Sequence, residues 1–449
     1  MKATGHDFIG RSSGPFSLSI WTHHVKSIQH VETFQPQKCE HATYGPAVKL
    51  GAGTQLGDAY EALGPLNRTI VGGNCATVSV AGFLTGGGHS LLSPRYGMGA
   101  DQVLEMEVVT PTGEIVVANE CQNTDLFWAL RGGGGSTFGV LTSVTVKTVP
   151  SPQIVGLLFQ ITQPLSEPDA QVDIMRYMLR HFPDLGRQNV SGYSYLYNQC
   201  PSRIRADNGT APISCFAGAF ALQDTANVTA ITALFMPLFA HIKSTWPVAT
   251  TMAIPLYFPN HLAWSRTMVE PNEAGQTQYV GSHLLDERAL TSVTAESKQA
   301  FADFASVSVA TAFLVGGRGV MDAVPAGGSN AVLPAWRKTY VHAMNGLHIG
   351  VEPLNRTQEK TAVTRLNESL AGIRKLAPEM GVYMNEGFLY EPNWQREFWG
   401  ENYARLLNIK RKIDPDDILW CYPCVGSEGW EEVDGRLCQI GSQNRIMAS

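Results

Sequence analysis

The 449-residue chain has no excess of positive charge: 33 Lys and Arg stand against 39 Asp and Glu, a net charge of −6. A protein that neutralises nucleic-acid phosphates carries the opposite balance, so nucleic acid is not an expected partner. Long apolar runs are also missing. A membrane helix needs about 20 apolar residues. The most apolar stretch, Ile231 to Ile242, is shorter and contains Pro237, so no membrane span is expected. The opening residues Met1 to Asp7 have no apolar signal-peptide core. Yet Asn-x-Ser/Thr sequons occur at Asn67, Asn189, Asn208, Asn227, Asn355 and Asn367, which point to a secretory history. Either the chain is cytosolic or its true start lies upstream.

Several chemistries lack their signatures. There is no Gly-Lys-Ser/Thr, hence no P-loop. The Gly-x-Ser-x-Gly at Gly10 to Gly14 is followed by a strand-like segment and not a helix, so no hydrolase elbow is expected. The Gly132 to Gly135 run follows a helix-like segment and precedes a strand-like one, which is the wrong context for a dinucleotide fingerprint. Cys421 and Cys424 form one CxxC without a second pair, so a zinc ribbon is not expected, and a local disulfide and free thiols both fit. His23 and His24 would point to opposite faces of a strand and could not share a metal. Eight cysteines allow a few disulfides but no disulfide scaffold. Hydrophobic residues at 44% and charged residues at 16% are a globular balance for two or three domains.

Glycine is plentiful, at 44 residues. Gly86-Gly87-Gly88, Gly97/Gly99 and Gly132 to Gly135 lie close in sequence, and such runs let backbone N–H groups approach a phosphate or a flat ring. Residues 1–150 read as short strands with glycine-rich turns: Phe16–Ile20, Ala47–Leu50, Val78–Gly82, a hairpin of Val103–Val109 with Glu114–Val117, and Val140–Val146. Short helices are expected over Asp58–Leu63 and from an N-cap at Thr124 to Leu130. Residues 151–375 alternate strands (Tyr193–Tyr197, Ile213–Leu222, Val307–Val315, Thr339–Ala343) with helices (Asp169–Phe182, Ala226–Leu238, Ala295–Phe304, Thr357–Leu376). That pattern predicts an antiparallel sheet covered on one side. Residues 376–449 form a third block, with a strand over Tyr383–Phe388 and a helix over Trp394–Lys412 that Asp414-Pro415 stops and Ile418–Trp420 resumes.

On motifs, Thr4-Gly5-His6-Asp7, Gly73-Asn74-Cys75-Ala76-Thr77-Val78, Gly86-Gly87-Gly88-His89-Ser90 and Tyr96-Gly97-Met98-Gly99-Ala100-Asp101 resemble the PCMH-type FAD-binding domain of the vanillyl-alcohol-oxidase superfamily. Asp125 to Gly134 with Phe138-Gly139-Val140 continues the likeness. Asn402-Tyr403, Lys410, Asp414-Pro415 and Val425-Gly426-Ser427-Glu428 are similar to the C-terminal segment of berberine-bridge-enzyme-like oxidases. The nearest flavour is the fungal FAD-linked oxidoreductases of secondary metabolism, including the isoamyl-alcohol-oxidase-like group.

The resemblance implies an α+β fold. Residues 1–150 would be the FAD-binding domain, 151–375 an antiparallel-sheet substrate domain, and 376–449 a segment returning to the FAD domain. It implies FAD held covalently by His6 (at the 8α-methyl) and Cys75 (at C6). Cys75 on composition alone reads as a disulfide or buried thiol, and His89 reads equally as a packing residue or a cofactor contact. Thr4, Gly5 and Asp7 would lie at the pyrophosphate. Val78, Gly82, Gly86, Gly87, Gly88, His89, Ser90, Gly97, Gly99 and Asp101 would border the cofactor, and Val140 would touch it through its backbone. The family carries a strand–helix–strand segment before its Gly-His-Asp motif. Here the chain starts five residues before His6, so that segment and any signal peptide are expected to be missing.

The implied activity is that of a flavin oxidase: hydride from an alcohol or related C–H of a small metabolite to flavin N5, then dioxygen to hydrogen peroxide. Tyr383 and Glu386 are the candidate bases, with Asn385 beside them. Strand alternation would put Tyr383 and Asn385 on one face and Glu386 on the other. The rivals are a flavin-free remnant, a secreted binding or storage protein supported by the sequons alone, a dehydrogenase and an oxidative cyclase. Apolar and aromatic residues in the middle region favour an apolar or aromatic metabolite over a sugar. No metal is expected, and the full-length parent is expected in the secretory lumen, in the vacuole, or outside the cell.

Overall fold

A computed structural model describes residues 1–14, 17–205, 212–268, 278–348, 354–433 and 436–440. The first sheet contains β1 (Ile28–Val31), β2 (Ala47–Gly51), β3 (Val103–Val109), β4 (Ile115–Asn119) and β5 (Val140–Lys147) in the order β1-β2-β5-β3-β4, every pair antiparallel. The β3–β4 hairpin turns at Gly113, whose φ of 86° suits glycine. Helix α1 (Leu56–Leu63) buries Leu56, Ala59, Tyr60 and Leu63 beneath this sheet's core.

The second sheet has seven strands: β6 (Ile154–Pro164), β7 (Val190–Tyr197), β8 (Ile213–Gln223), β9 (Thr250–Phe258), β10 (Gln278–Asp286), β11 (Val309–Leu314) and β12 (Thr339–His348). Their order is β9-β6-β8-β7-β11-β12-β10, again wholly antiparallel. Ile174, Met178, Phe235, Phe239, Phe301, Leu366 and Leu370, from the helices Pro168–Arg180, Val228–Thr245, Ala295–Phe304 and Arg356–Leu376, share one buried core with the strands. The helix Val228–Thr245 is longer than the apolar run seen in the sequence. At 18 residues and mean hydropathy 1.2 it is long and apolar enough to cross a membrane by those two measures alone. It buries Ile231, Phe235, Leu238, Phe239 and Ile242 in the sheet core.

The C-terminal stretch returns to the first core. Val382, Met384, Trp394, Phe398, Trp399, Leu406 and Ile409 are buried with Phe127, Trp128 and Phe138, and Trp399 Nε1 donates to Gly132 O at 3.0 Å.

Several local expectations need correction. Val80–Thr85 is a helix, not the end of a strand, because Ser79 caps it with its side chain accepting from Ala81 N. Residues 17–20 form no strand, and Phe16 lies outside the described residues. His23 and His24 sit in a 3-10 turn, stacked with Trp21. Asn123, with φ 49°, precedes the helix that Thr124 begins. The expected helix Trp394–Lys412 is two, Trp394–Trp399 and Asn402–Ile413, separated at Gly400, whose φ is 55°. Ile418–Trp420 does not resume it, because both Asp414 carboxylate oxygens accept backbone N–H bonds from Ile418 and Leu419. Tyr383–Phe388 is no strand: Met384–Glu386 is a 3-10 turn. Strands β6, β9 and β10 escaped sequence reading. β6 is an inner strand with eight of eleven residues buried, so it reads as a continuous apolar run without alternation.

Cys39–Cys121, Cys200–Cys215 and Cys421–Cys424 are disulfides, so the CxxC is a local bridge; Cys75 and Cys438 are free. The sequon at Asn208 lies outside the described residues.

Candidate active site

A cavity of about 470 Å³ lies between the N-terminal segment, the helix Val80–Thr85, the turn Gly134–Ser136, the seven-stranded sheet and residues 383–386. Thr4, Gly5, His6, Asp7, Cys75, Val78, Gly82, His89, Tyr383, Asn385 and Glu386 line it. Gly86, Gly87, Gly88, Ser90, Gly97, Gly99, Asp101 and Val140 do not reach its surface.

Those eight act one layer back. Gly99 N donates to Gly88 O at 2.8 Å and Ala100 N to Gly87 O at 2.9 Å, so the two glycine loops are clipped together behind Phe83. Ser90 Oγ donates to Gly72 O. A Cβ on Gly86 would collide with the Asn385 amide. The Asp101 carboxylate is buried and takes both guanidinium nitrogens of Arg337 at 2.8 Å and Asn330 Nδ2 at 2.7 Å. It joins the glycine loop to the segment Pro334–Lys338. Val140 pairs with Val109 in the sheet, while its neighbours Gly139 and Leu141 line the cavity.

At one side of the cavity His6 Nε2 and Thr77 Oγ1 are 2.8 Å apart, and Cys75 Sγ and the same Oγ1 are 3.4 Å apart. Burial pushes the His6 imidazole below its ordinary pKa. Asp7 is engaged with Arg11, its Oδ1 accepting from Nε at 3.0 Å and its Oδ2 from the backbone N at 2.6 Å. Arg11 Nη2 donates to Met384 O at 3.0 Å, and Nη1 is buried without a partner among the described residues.

At the other end Glu386 lies between two histidines. His89 Nε2 is 3.5 Å from its carboxylate and His342 Nδ1 is 3.3 Å from Oε2. Burial alone would raise the Glu386 carboxyl; the charge and hydrogen bond of His89, aided by the charge of His342, outweigh it and bring the net below the usual carboxylate value. Burial pushes His342 down to about 4, leaving a neutral imidazole near pH 7. Tyr383 goes the other way. Burial first, then the Glu386 charge, push its phenol well above the ordinary value, and its oxygen accepts from Asn385 Nδ2 at 2.8 Å. The 3-10 turn, not strand alternation, therefore sets these three side chains, and all of them reach the cavity.

Sheet register brings His342 here. Tyr193, Phe313 and His342 are directly paired across β7, β11 and β12, so their side chains share one face. Tyr195, Met344 and Gln278 extend the sheet side of the cavity. His342, Arg11 and Thr77 were not singled out from sequence. A lone histidine inside an apolar strand carries no local signal, whereas Thr77, two residues from Cys75, was within reach.

The comparisons agree with this layout. A family model for the FAD binding domain matches residues 3–119, and one for berberine and berberine-like proteins matches residues 382–423. An uncharacterized FAD-linked oxidoreductase of Arthroderma benhamiae is 35% identical over 440 residues, covering 96% of this chain and 74% of that protein. The FAD-linked oxidoreductase patO of Penicillium expansum is 35% identical over 461 residues, covering 99% and 74%. The crystal structure of the VAO-type flavoprotein MtVAO713 of Myceliophthora thermophila C1 superposes with a TM-score of 0.88 at 28% identity, over 98% of this chain and 77% of that one. A glucooligosaccharide oxidase of Acremonium strictum, at 19% identity and TM-score 0.67 over 91% of this chain and 81% of that one, shares the fold. The chain thus belongs to the FAD-linked oxidoreductases of the vanillyl-alcohol-oxidase family, with a PCMH-type FAD-binding fold and a berberine-like C-terminal segment.

Proposed function

We propose that the chain is an oxidase of a small apolar or aromatic metabolite, acting at an alcohol or related C–H with dioxygen as acceptor, and that Glu386 is its base. The observation that carries this reading is a half-buried carboxylate between two histidines, its pKa held below the usual carboxylate value, facing the same cavity as His6 and Cys75.

The cavity fits FAD on this chain's own features. Gly5 and Gly134 line it at φ 85° and 105° and offer bare backbone. A Cβ on Gly82 would meet no protein atom. Arg11 brings a buried unpaired N–H suited to an anionic or carbonyl oxygen. His6 and Cys75 would hold the isoalloxazine covalently, with Thr4, Gly5, Gly82 and Gly134 against the cofactor. Bound FAD supplies the two-electron acceptor that the side chains lack and delivers the electrons to dioxygen as hydrogen peroxide.

The protein's part is orientation and the proton. Glu386, ionised, accepts the proton of the substrate O–H. His89 makes the hydrogen bond to the carboxylate, and the neutral His342 ring stands beside it at 3.3 Å. Tyr383 stays protonated and, with Asn385, orients the substrate by hydrogen bonds. Tyr193, Tyr195 and Phe313 offer ring faces to a flat or apolar group and exclude water. Of the two candidate bases, the direction of each pKa favours Glu386 over Tyr383.

Three disulfides and the exposed sequons Asn67 and Asn189 support a secretory or vacuolar location and glycosylation. The test of function is acid precipitation of the expressed chain, followed by a peroxide assay on a panel of aromatic, aliphatic and sugar alcohols. A yellow pellet and peroxide from the apolar or aromatic alcohols are expected. A colourless pellet and supernatant would mean a flavin-free remnant, and turnover only with an artificial acceptor would mean a dehydrogenase.

A further inference from the structure

Resting on the reading that FAD is joined to His6 and Cys75, we infer that Thr77 is the positioning residue that prepares both side chains for attachment. One hydroxyl addresses the two of them, at 2.8 Å from His6 Nε2 and 3.4 Å from Cys75 Sγ. A threonine hydroxyl has one proton to give and lone pairs to accept with. Accepting from Nε2–H and donating to Sγ uses both capacities at once.

Each contact has a chemical consequence. With the proton kept on Nε2 by Thr77, the imidazole lone pair stands on Nδ1, and that nitrogen is the nucleophile. Burial keeps the ring neutral, as a nucleophile must be. At Cys75 the thiolate is the reactive form, and a donated O–H stabilises it. Thr77 itself is held by its backbone. Gln55 Nε2 donates to Thr77 O at 2.9 Å, Gly57 N to Ala76 O and Leu56 N to Val78 O, both at 2.9 Å. The segment around Cys75 is thus pinned to the start of α1, and the hydroxyl cannot drift from the two groups that it serves.

The reaction balances for each bond. One C–H of the flavin, at the 8α-methyl or at C6, and one N–H (Nε2 of His6) or S–H (Cys75) are broken as C–N or C–S forms. The two protons and two electrons released reduce the flavin, and dioxygen takes them up as one hydrogen peroxide. No further oxidant is needed.

The test follows attachment, not turnover. Apoprotein of the wild type, T77V, T77A and T77S is incubated with FAD and air, then denatured. Intact mass and a peptide map report the His6- and Cys75-linked fractions over time, and circular dichroism with Tm reports folding. The wild type should form both links. T77V and T77A should form the thioether about tenfold more slowly, the scale of losing one hydrogen bond to a charged group, and should slow the histidyl link as well. T77S should restore both links. Wild-type rates in T77V and T77A, or a defect that T77S fails to rescue, would overturn the role of Thr77. If T77V does not fold, T77A decides, since it removes the hydroxyl without adding a methyl. Absence of both links in the wild type would overturn the attachment reading itself, and this inference with it.

Discussion

His342 Nδ1 stands 3.3 Å from Glu386 Oε2, and the two side chains come from different elements: a strand of the seven-stranded sheet and a 3-10 turn of the C-terminal stretch. The contact exists because that stretch folds back over the edge of the cavity. His342 is fully buried and Glu386 is half-buried at the cavity wall, so water screens the pair weakly and their protonation states depend on each other.

Replacing Glu386 with Gln keeps the shape and removes the base. Turnover should fall by about 10² to 10⁴, the usual range for general-base catalysis. The flavin should stay attached, because the side-chain partners of Glu386 are His89 and His342, not His6, Cys75 or Thr77. Steady-state kcat beside flavin absorbance checks both; unchanged kcat would remove Glu386 from the chemistry.

The acid limb of kcat/KM reports the Glu386 carboxyl, which must be ionised to work. Burial raises its pKa, and the charge and hydrogen bond of His89 lower it further than burial raises it. The enzyme therefore keeps its activity as pH falls, until the limb is met below the usual carboxylate value. In H89Q the lowering influence is gone and burial remains, so the limb should move to higher pH. A limb that stays in place would show that His89 does not set the charge of Glu386.

Arg11 bridges Asp7 and Met384 O and keeps one buried N–H unsatisfied. R11M should lower the flavin bound per protein and raise the FAD concentration needed for loading. Absorbance of the purified protein, with a titration of apoprotein, measures this. Full loading at wild-type FAD concentrations would mean that Arg11 serves only the protein fold.

Asp101 is a structural junction. D101N leaves the Arg337 guanidinium facing a neutral amide inside the protein, and breaking such a buried pair typically costs about 3 kcal/mol. The Tm should drop clearly, while any flavin retained by the folded fraction should have an unchanged spectrum, since Asp101 does not reach the cavity. A spectral shift without a drop in Tm would return Asp101 to the cofactor.

Much of the fold was legible because it is local. The hairpin about Gly113 and the helix Ala295–Phe304 follow from turn chemistry and periodicity. The helix after Ser79 was missed because its apolar residues also suit a strand and only the cap decides. β6 was missed because burial on both faces erases alternation. Among site residues, His6, Cys75 and Glu386 were chosen from motifs and all line the cavity. The resemblance placed Asp101 and the second glycine loop at the cofactor; folding stacks that loop on the first and ties Asp101 to Arg337 and Asn330.

What the amino-acid sequence determined by itself is therefore the family, the chemistry on offer and the elements whose hydrogen bonds close within a few residues. Glycine runs with a histidine and a cysteine nearby are properties of residue type and spacing. Tertiary structure alone decided which groups meet. His342 reaches Glu386 through strand register, Arg337 reaches Asp101 across 236 positions, and Arg11 reaches Met384 across 373. These contacts depend on how two sheets and a returning C-terminal stretch pack, and a linear pattern carries no record of distances closed by packing. The pKa of the Glu386 carboxyl is set by such neighbours, which meet only when the chain is folded.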